Sequence, residues 1–185
     1  QLNDLRGLLM QENIPLRLYS GAEVFADPSN IRTLIEQHEL ITLGGSRYLL
    51  VEFDFGLPGS VLLRTLEAIA QRGLVPVVAH PERYDAVQRD PGFSRGMLLQ
   101  LNKGSLLGLL GSRAEDTALH LLSHGLAHLI ASDAHDDRFR TTGFRSLLPV
   151  LEPICHPDYI ALLLHGNPRR ILRDEPIPIP PLQSD

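Results

Sequence analysis

Six polar side chains stand at or just past the ends of five separate apolar segments: Glu23, Glu52, His80, Asn102, and Asp133 together with His135. Two glutamates, one aspartate and two histidines make an oxygen and nitrogen donor set that suits Mn2+, Fe or Zn2+ rather than a thiolate-seeking metal. Gathered on one rim, they form a catalytic metal site. Taken singly, each has a commoner role: Glu23 can cap a helix, His80 can be a satisfied core histidine, and Asp133 is at home in a turn. Glu52 differs, because it interrupts an apolar run, where an ionised carboxylate is costly without a partner. Arg83 and Arg138 follow His80 and His135 at the same offset of three residues. Guanidinium forks match phosphate oxygens, and the competing role is surface pairing with Glu82, Asp136 or Asp137.

The elements that must position these groups alternate. Apolar runs at 16–19, 48–53, 74–79, 97–101 and 127–131 read as strands. The valine-rich run at 74–79 suits a strand buried on both faces. Between them, Leu2, Leu5, Leu8 and Leu9 fall at helical spacing. Asp27 and Pro28 open a helix reaching about His38, Ser60 caps one that Gly73 ends, and 113–124 carries Ala114, Ala118, Leu121 and Leu122 on one face. Helices at 144–151 and 158–164 and a last turn opened by Asn167 and Pro168 complete the chain. Alternation of this kind predicts βαβ units, a parallel sheet, and function at the carboxyl ends of the strands. Residues 1–175 read as one domain, and the proline alternation from Pro176 predicts a flexible, extended tail over 176–185.

Composition narrows the classes. A net charge of −5 gives no electrostatic reason to expect nucleic acid. No apolar run approaches the ~20 residues that span a bilayer, and a lone cysteine, Cys155, leaves no intramolecular disulfide. The expectation is a cytoplasmic protein without membrane insertion. His120 and His124 are four apart, but position 121 is Leu where a metalloprotease helix needs Glu. Cys155 lacks an arginine six residues on, where Ala161 stands, so a cysteine-phosphatase loop is absent. No glycine-rich phosphate loop supports nucleotide hydrolysis or hydride transfer.

The segments Gly21-Ala22-Glu23, Glu52-Phe53, Ala79-His80-Pro81-Glu82-Arg83-Tyr84, Ala131-Ser132-Asp133-Ala134-His135 and Asn167-Pro168 resemble the bacterial metal-dependent tyrosine-protein phosphatases of the polymerase and histidinol phosphatase (PHP) superfamily. The resemblance implies an α/β fold, a distorted (β/α)7 PHP-type barrel, with up to three metal ions at its rim. Manganese is the usual ion, with Fe, Zn or Mg as the other choices. It implies that Glu52 bridges two ions, that His80 and Asp133 each ligate one of that pair, and that Glu23 and His135 ligate the third. Arg83 and Arg138 resemble the arginines that hold the substrate phosphate, while Asn102 receives no role.

The implied activity is hydrolysis of phosphotyrosine on an autophosphorylating bacterial tyrosine kinase that controls capsular or extracellular polysaccharide synthesis. The alternatives are a small-molecule phosphatase acting on a compound such as histidinol phosphate, and a non-catalytic domain that binds a partner. Family members open with a His-x-His strand, and this sequence has no two histidines so spaced. A (β/α)8 barrel takes about 250 residues, against 185 here. The chain is therefore expected to lack the first one or two βα units.

Overall fold

The computed structural model describes residues 2–36, 40–138 and 140–178, with backbone only at 32, 34 and 35. The chain runs α1 (Leu2–Gln11), β1 (Glu23–Phe25), α2 (Ile31–Glu36), β2 (Tyr48–Glu52), α3 (Gly59–Ala70), β3 (Val75–Ala79), α4 (Asp85–Arg89), β4 (Leu98–Asn102), α5 (Lys103–Leu106), α6 (Ser112–Ser123), β5 (Leu129–Ala131), α7 (Leu148–Leu151), α8 (Pro157–Ala161) and α9 (Asn167–Leu172). A single 3-10 turn, Pro81–Arg83, joins β3 to α4.

All five strands are parallel and lie in sequence order, so their carboxyl ends share one edge. Among the described residues β1 and β5 are the two borders of this sheet. Consecutive side chains of a strand point to opposite faces. Leu49, Val51, Val78, Leu99 and Ile130 accordingly pack into the larger core with Leu62, Leu66 and Ile69 of α3 and Leu121 and Leu122 of α6. Tyr48, Val77, Leu98 and Leu129 turn the other way and meet Ile171 and Ile177. Both faces are covered, as a parallel sheet requires.

Four strands fall where the apolar runs place them. The first does not: 16–19 forms no strand and lies largely exposed, with Arg6 of α1 donating to Leu18 O at 2.8 Å. The ladder to β2 begins instead at Glu23, opposite Leu50. Glu23 therefore opens a strand rather than following one, and its reach to the rim comes from its side chain. Ser60 lies within the first turn of α3, whose cap is Pro58. Asp27 does cap its helix entry, accepting from Ser29 N at 2.7 Å. Beyond Glu36, the expected extension to His38 lies outside the described residues. The start of the proline-rich segment is anchored rather than free. Ile177 is buried and donates its N–H to Tyr48 Oη at 3.2 Å, while Tyr48 Oη donates to Glu175 O at 2.7 Å. Residues 179–185 of that expected tail lie outside the described residues.

Candidate metal centre

Glu23, Glu52 and His80 come from three adjacent strands, and each offers a ligand atom within 4.8 Å of the others. His80 Nε2 lies 3.0 Å from Glu23 Oε1 and 3.5 Å from Glu52 Oε1. The His80 side chain is 4% exposed and its ring meets Phe55 and Tyr84 at 5.8 and 5.9 Å. Tyr84 is itself fixed, accepting from Phe53 N at 3.1 Å, and burial raises its phenol pKa well above the usual value. Two carboxylates thus share one imidazole, and no arginine or lysine pairs with either among the described residues. Like charges held this close favour a cation between them. His80 also leaves Nδ1 buried without a partner.

Backbone geometry marks the same rim. His80 has φ 33° and Asp133 has φ 47°, left-handed values at which an L side chain is strained. Each stands just past the end of a strand, β3 for His80 and β5 for Asp133. The second cluster forms around Asp133, which accepts from Asn102 Nδ2 at 2.7 Å and is ion-paired with Arg140. His135 Nδ1 lies 2.9 Å from Asp133 O, and its N–H donates to Arg140 O at 2.9 Å.

A family model described as capsular polysaccharide synthesis, CpsB/CapC, matches residues 1–173. The chain belongs to this family. It is 28% identical to the tyrosine-protein phosphatase YwqE of Bacillus subtilis over 180 residues, covering 95% of this chain and 70% of YwqE. Against the tyrosine-protein phosphatase CpsB of Streptococcus pneumoniae it is 29% identical over 165 residues, 84% of this chain and 68% of that protein. The fold superposes with a TM-score of 0.84, at 28% identity, on a solved structure from the work on YwqE and CpsB as metal-dependent tyrosine phosphatases. That match covers 97% of this chain and 74% of the other.

Within this CpsB/CapC domain, three of the five expected ligands converge. Asp133 and His135 form a neighbouring pair, and His135 keeps its side chain 59% exposed. Arg83 ends the 3-10 turn that follows His80, and its guanidinium sits 4.2 Å over Phe55, the ring that also meets His80. Arg138 does not mirror it. After His135 the chain turns on Asp136, whose carboxylate accepts from Arg138 N at 2.8 Å and Arg140 N at 3.1 Å. That turn leaves the Arg138 side chain 82% exposed beside Asp137 and returns Arg140 to the site.

Sequence reasoning passed over three contributors. Arg140 carries no spacing signal. Glu82 is fully buried, accepts from Asn102 N at 3.0 Å, and burial pushes its carboxyl pKa up. Lys103, 4% exposed, donates Nζ to Thr141 O and, at 2.9 Å, to Gly143 O. A lysine in the first position after a strand is the one available hint for the last. The residues set aside do keep away from the centre. His120 stacks on His124 at 4.0 Å, and burial raises the Cys155 thiol pKa, which makes it a poor nucleophile.

Proposed function

We propose that this chain is the catalytic domain of a metal-dependent protein-tyrosine phosphatase of capsular polysaccharide synthesis. The observation that carries the reading is the convergence of Glu23, Glu52 and His80 at the strand ends, next to Arg83, in a chain that shares its fold with metal-dependent tyrosine phosphatases. The donor set fits a hard or borderline divalent cation, with Mn2+ first and Fe, Zn or Mg as alternatives. Glu23, Glu52 and His80 would hold it, and Asp133 and His135 would complete a centre of up to three ions. When bound, the metal supplies Lewis acidity toward phosphoryl oxygens and lowers the pKa of water.

The chain's own residues do the rest. Glu52 and Glu23 confine positive charge to the mouth of the sheet edge. The aromatic group around His80 excludes water from one side and fixes the imidazole plane. Arg83, held 4.2 Å over the Phe55 ring, would offer its guanidinium fork to a phosphoryl group. Arg140, carried by the loop that leaves Arg138 in solvent, is the better-placed second arginine for the developing charge.

The architecture around this rim is read as part of a PHP-type barrel, and the location as the cytoplasm. The substrate is read as a phosphotyrosine protein, specifically an autophosphorylating tyrosine kinase. The relatives' named activity favours phosphotyrosine over a small phosphomonoester. Manganese-dependent hydrolysis of a phosphotyrosyl protein tests the reading. His80→Ala is expected to lower the rate by more than the roughly 10- to 100-fold that outer-shell changes cost. An unaltered rate in that variant would remove the metal assignment.

A further inference from the structure

Four of the five described strands bring an expected ligand to the rim: Glu23 in β1, Glu52 in β2, His80 after β3 and Asp133 after β5. β4, which lies between β3 and β5, ends instead in Asn102, a buried amide to which no role has been given. Its place in the ladder explains what it meets. The pairing of β3 with β4 stops at Ala79 opposite Gln100. Two residues further along β4, the Asn102 N–H donates to a side chain instead, Glu82 Oε1 at 3.0 Å.

Glu82 stands there because of the turn after His80. The 3-10 turn Pro81–Arg83 holds it, it is fully buried, and its carbonyl accepts from Gln88 Nε2 at 2.9 Å. The Asn102 side chain continues the connection. Its Oδ1 accepts from Gly104 N at 2.7 Å, capping α5, and its Nδ2 donates to Asp133 Oδ2 at 2.7 Å. The orientation of the amide follows from its partners: a backbone N–H requires the oxygen, which leaves the NH2 group for the carboxylate. One buried residue thus joins the turn that follows His80 to Asp133.

We infer that Glu82 and Asn102 are positioning residues for the metal centre, a relay across β4 that sets where the Asp133 carboxylate stands relative to His80. The inference rests on the metal centre of the phosphatase reading and adds to it how donors after β3 and β5 are kept in place. Asp133 needs such a tether. It lies past the end of β5, at φ 47°, whereas Glu52 is paired within the ladder opposite Phe25. Partners that hydrogen-bond a metal-ligating carboxylate fix its orientation, and losing one typically costs roughly 10- to 100-fold in metal affinity or activity.

The test measures the Mn2+ affinity of the whole chain from the electron paramagnetic resonance of free Mn2+, with hydrolysis of a phosphotyrosyl peptide alongside. Asn102→Ser keeps a hydroxyl to cap α5 and the backbone N–H for Glu82, but it has no amide for Asp133. It is expected to weaken Mn2+ binding about 10-fold or more. Glu82→Leu removes the acceptor and is expected to do the same, while Glu82→Gln, which keeps an acceptor oxygen at the same reach, should bind Mn2+ like the unaltered protein. Where Glu82→Leu does not fold, Glu82→Asp, one methylene short of Asn102 N, replaces it.

Because both residues act on one carboxylate, the double variant should lose no more than the larger single loss, whereas independent structural defects multiply. Unchanged affinity in Asn102→Ser, multiplied losses in the double variant, or a Glu82→Gln as weak as Glu82→Leu overturns the relay. An unaltered protein that takes up no Mn2+ removes the centre and the relay with it. Peptide turnover judges the phosphatase reading separately. Turnover by the unaltered protein with normal Mn2+ binding in Asn102→Ser removes only the relay. No turnover, with the coupled losses of affinity present, removes only the phosphatase reading.

Discussion

On the β1–β3 side of the centre, Glu23 and Glu52 belong to paired strands and His80 follows the third, its ring against Phe55 and Tyr84. On the β5 side, Asp133, His135 and Arg140 belong to a stretch that has no helix or strand of its own among the described residues up to 144. Donors on strand ends inherit the rigidity of the ladder. Donors on a loop need something else to hold them. Here it is Lys103, whose buried ammonium reaches across to two carbonyls beyond Arg140, and Asn102, whose amide holds Asp133. A buried ammonium is tolerable only when hydrogen-bonded, so the clamp and the loop depend on each other.

The comparison breaks first, and with the largest effect, on the two arginines of that loop. Arg140→Ala is expected to lower kcat/KM about 100-fold, the scale of losing one charge-stabilising donor. Arg138→Ala, by contrast, is expected to change it less than about two-fold, as for other exposed charges. Steady-state kinetics on a phosphotyrosyl substrate check both, and the reverse ranking would restore Arg138 to the site.

Lys103→Met comes next, expected to cost about 1–3 kcal/mol in denaturant unfolding because two carbonyls lose a charged donor. Hydrogen exchange sharpens this. Residues 134–138 and 140–143 should exchange faster in the variant while β2 and β3 keep their protection, and equal loosening of both sides would contradict a loop held by Lys103.

The smallest effect concerns the foundation of the β5 side. His128 is buried, accepts from Leu99 N at 3.2 Å through Nδ1, and burial depresses its pKa to about 4. The unfolded chain takes up this proton below about 6.5, where the folded chain does not. Stability is therefore full above about pH 6.5 and is lost as pH falls toward 4. The loss is roughly 2 kcal/mol at pH 5. His128→Gln keeps an acceptor for Leu99 N without the titration, so its unfolding free energy should fall less between pH 7 and pH 5. Parallel pH profiles for the two proteins would contradict the assignment.

Much of this arrangement was legible from residue order. Apolar runs at β2, β3, β4 and β5 locate the sheet because burial on both faces leaves few polar residues to blur the pattern, and an ionisable group in or after such a run stands out. Residues 16–19 misled for the same reason: an apolar run signals burial against something, and the structure sets this one beside α1 instead of in the ladder. Arg140 and Lys103 were illegible because their roles arise from how an irregular loop folds back, which follows no period. The equal offsets of Arg83 and Arg138 looked like symmetry. A 3-10 turn follows one histidine and an aspartate-centred turn the other, so equal counting gave unequal reach.

The left-handed backbone at His80 carries one further consequence. Outside glycine, that conformation is accepted most readily by asparagine, aspartate and histidine, and β-branched residues resist it. Of the side chains that ligate metals, aspartate and histidine therefore fit this position and glutamate fits poorly. The strand exit limits the sequence before any ion does: a drifting or redesigned centre has a short menu at residue 80, and the fold itself filters which metal preferences descendants of this chain can acquire.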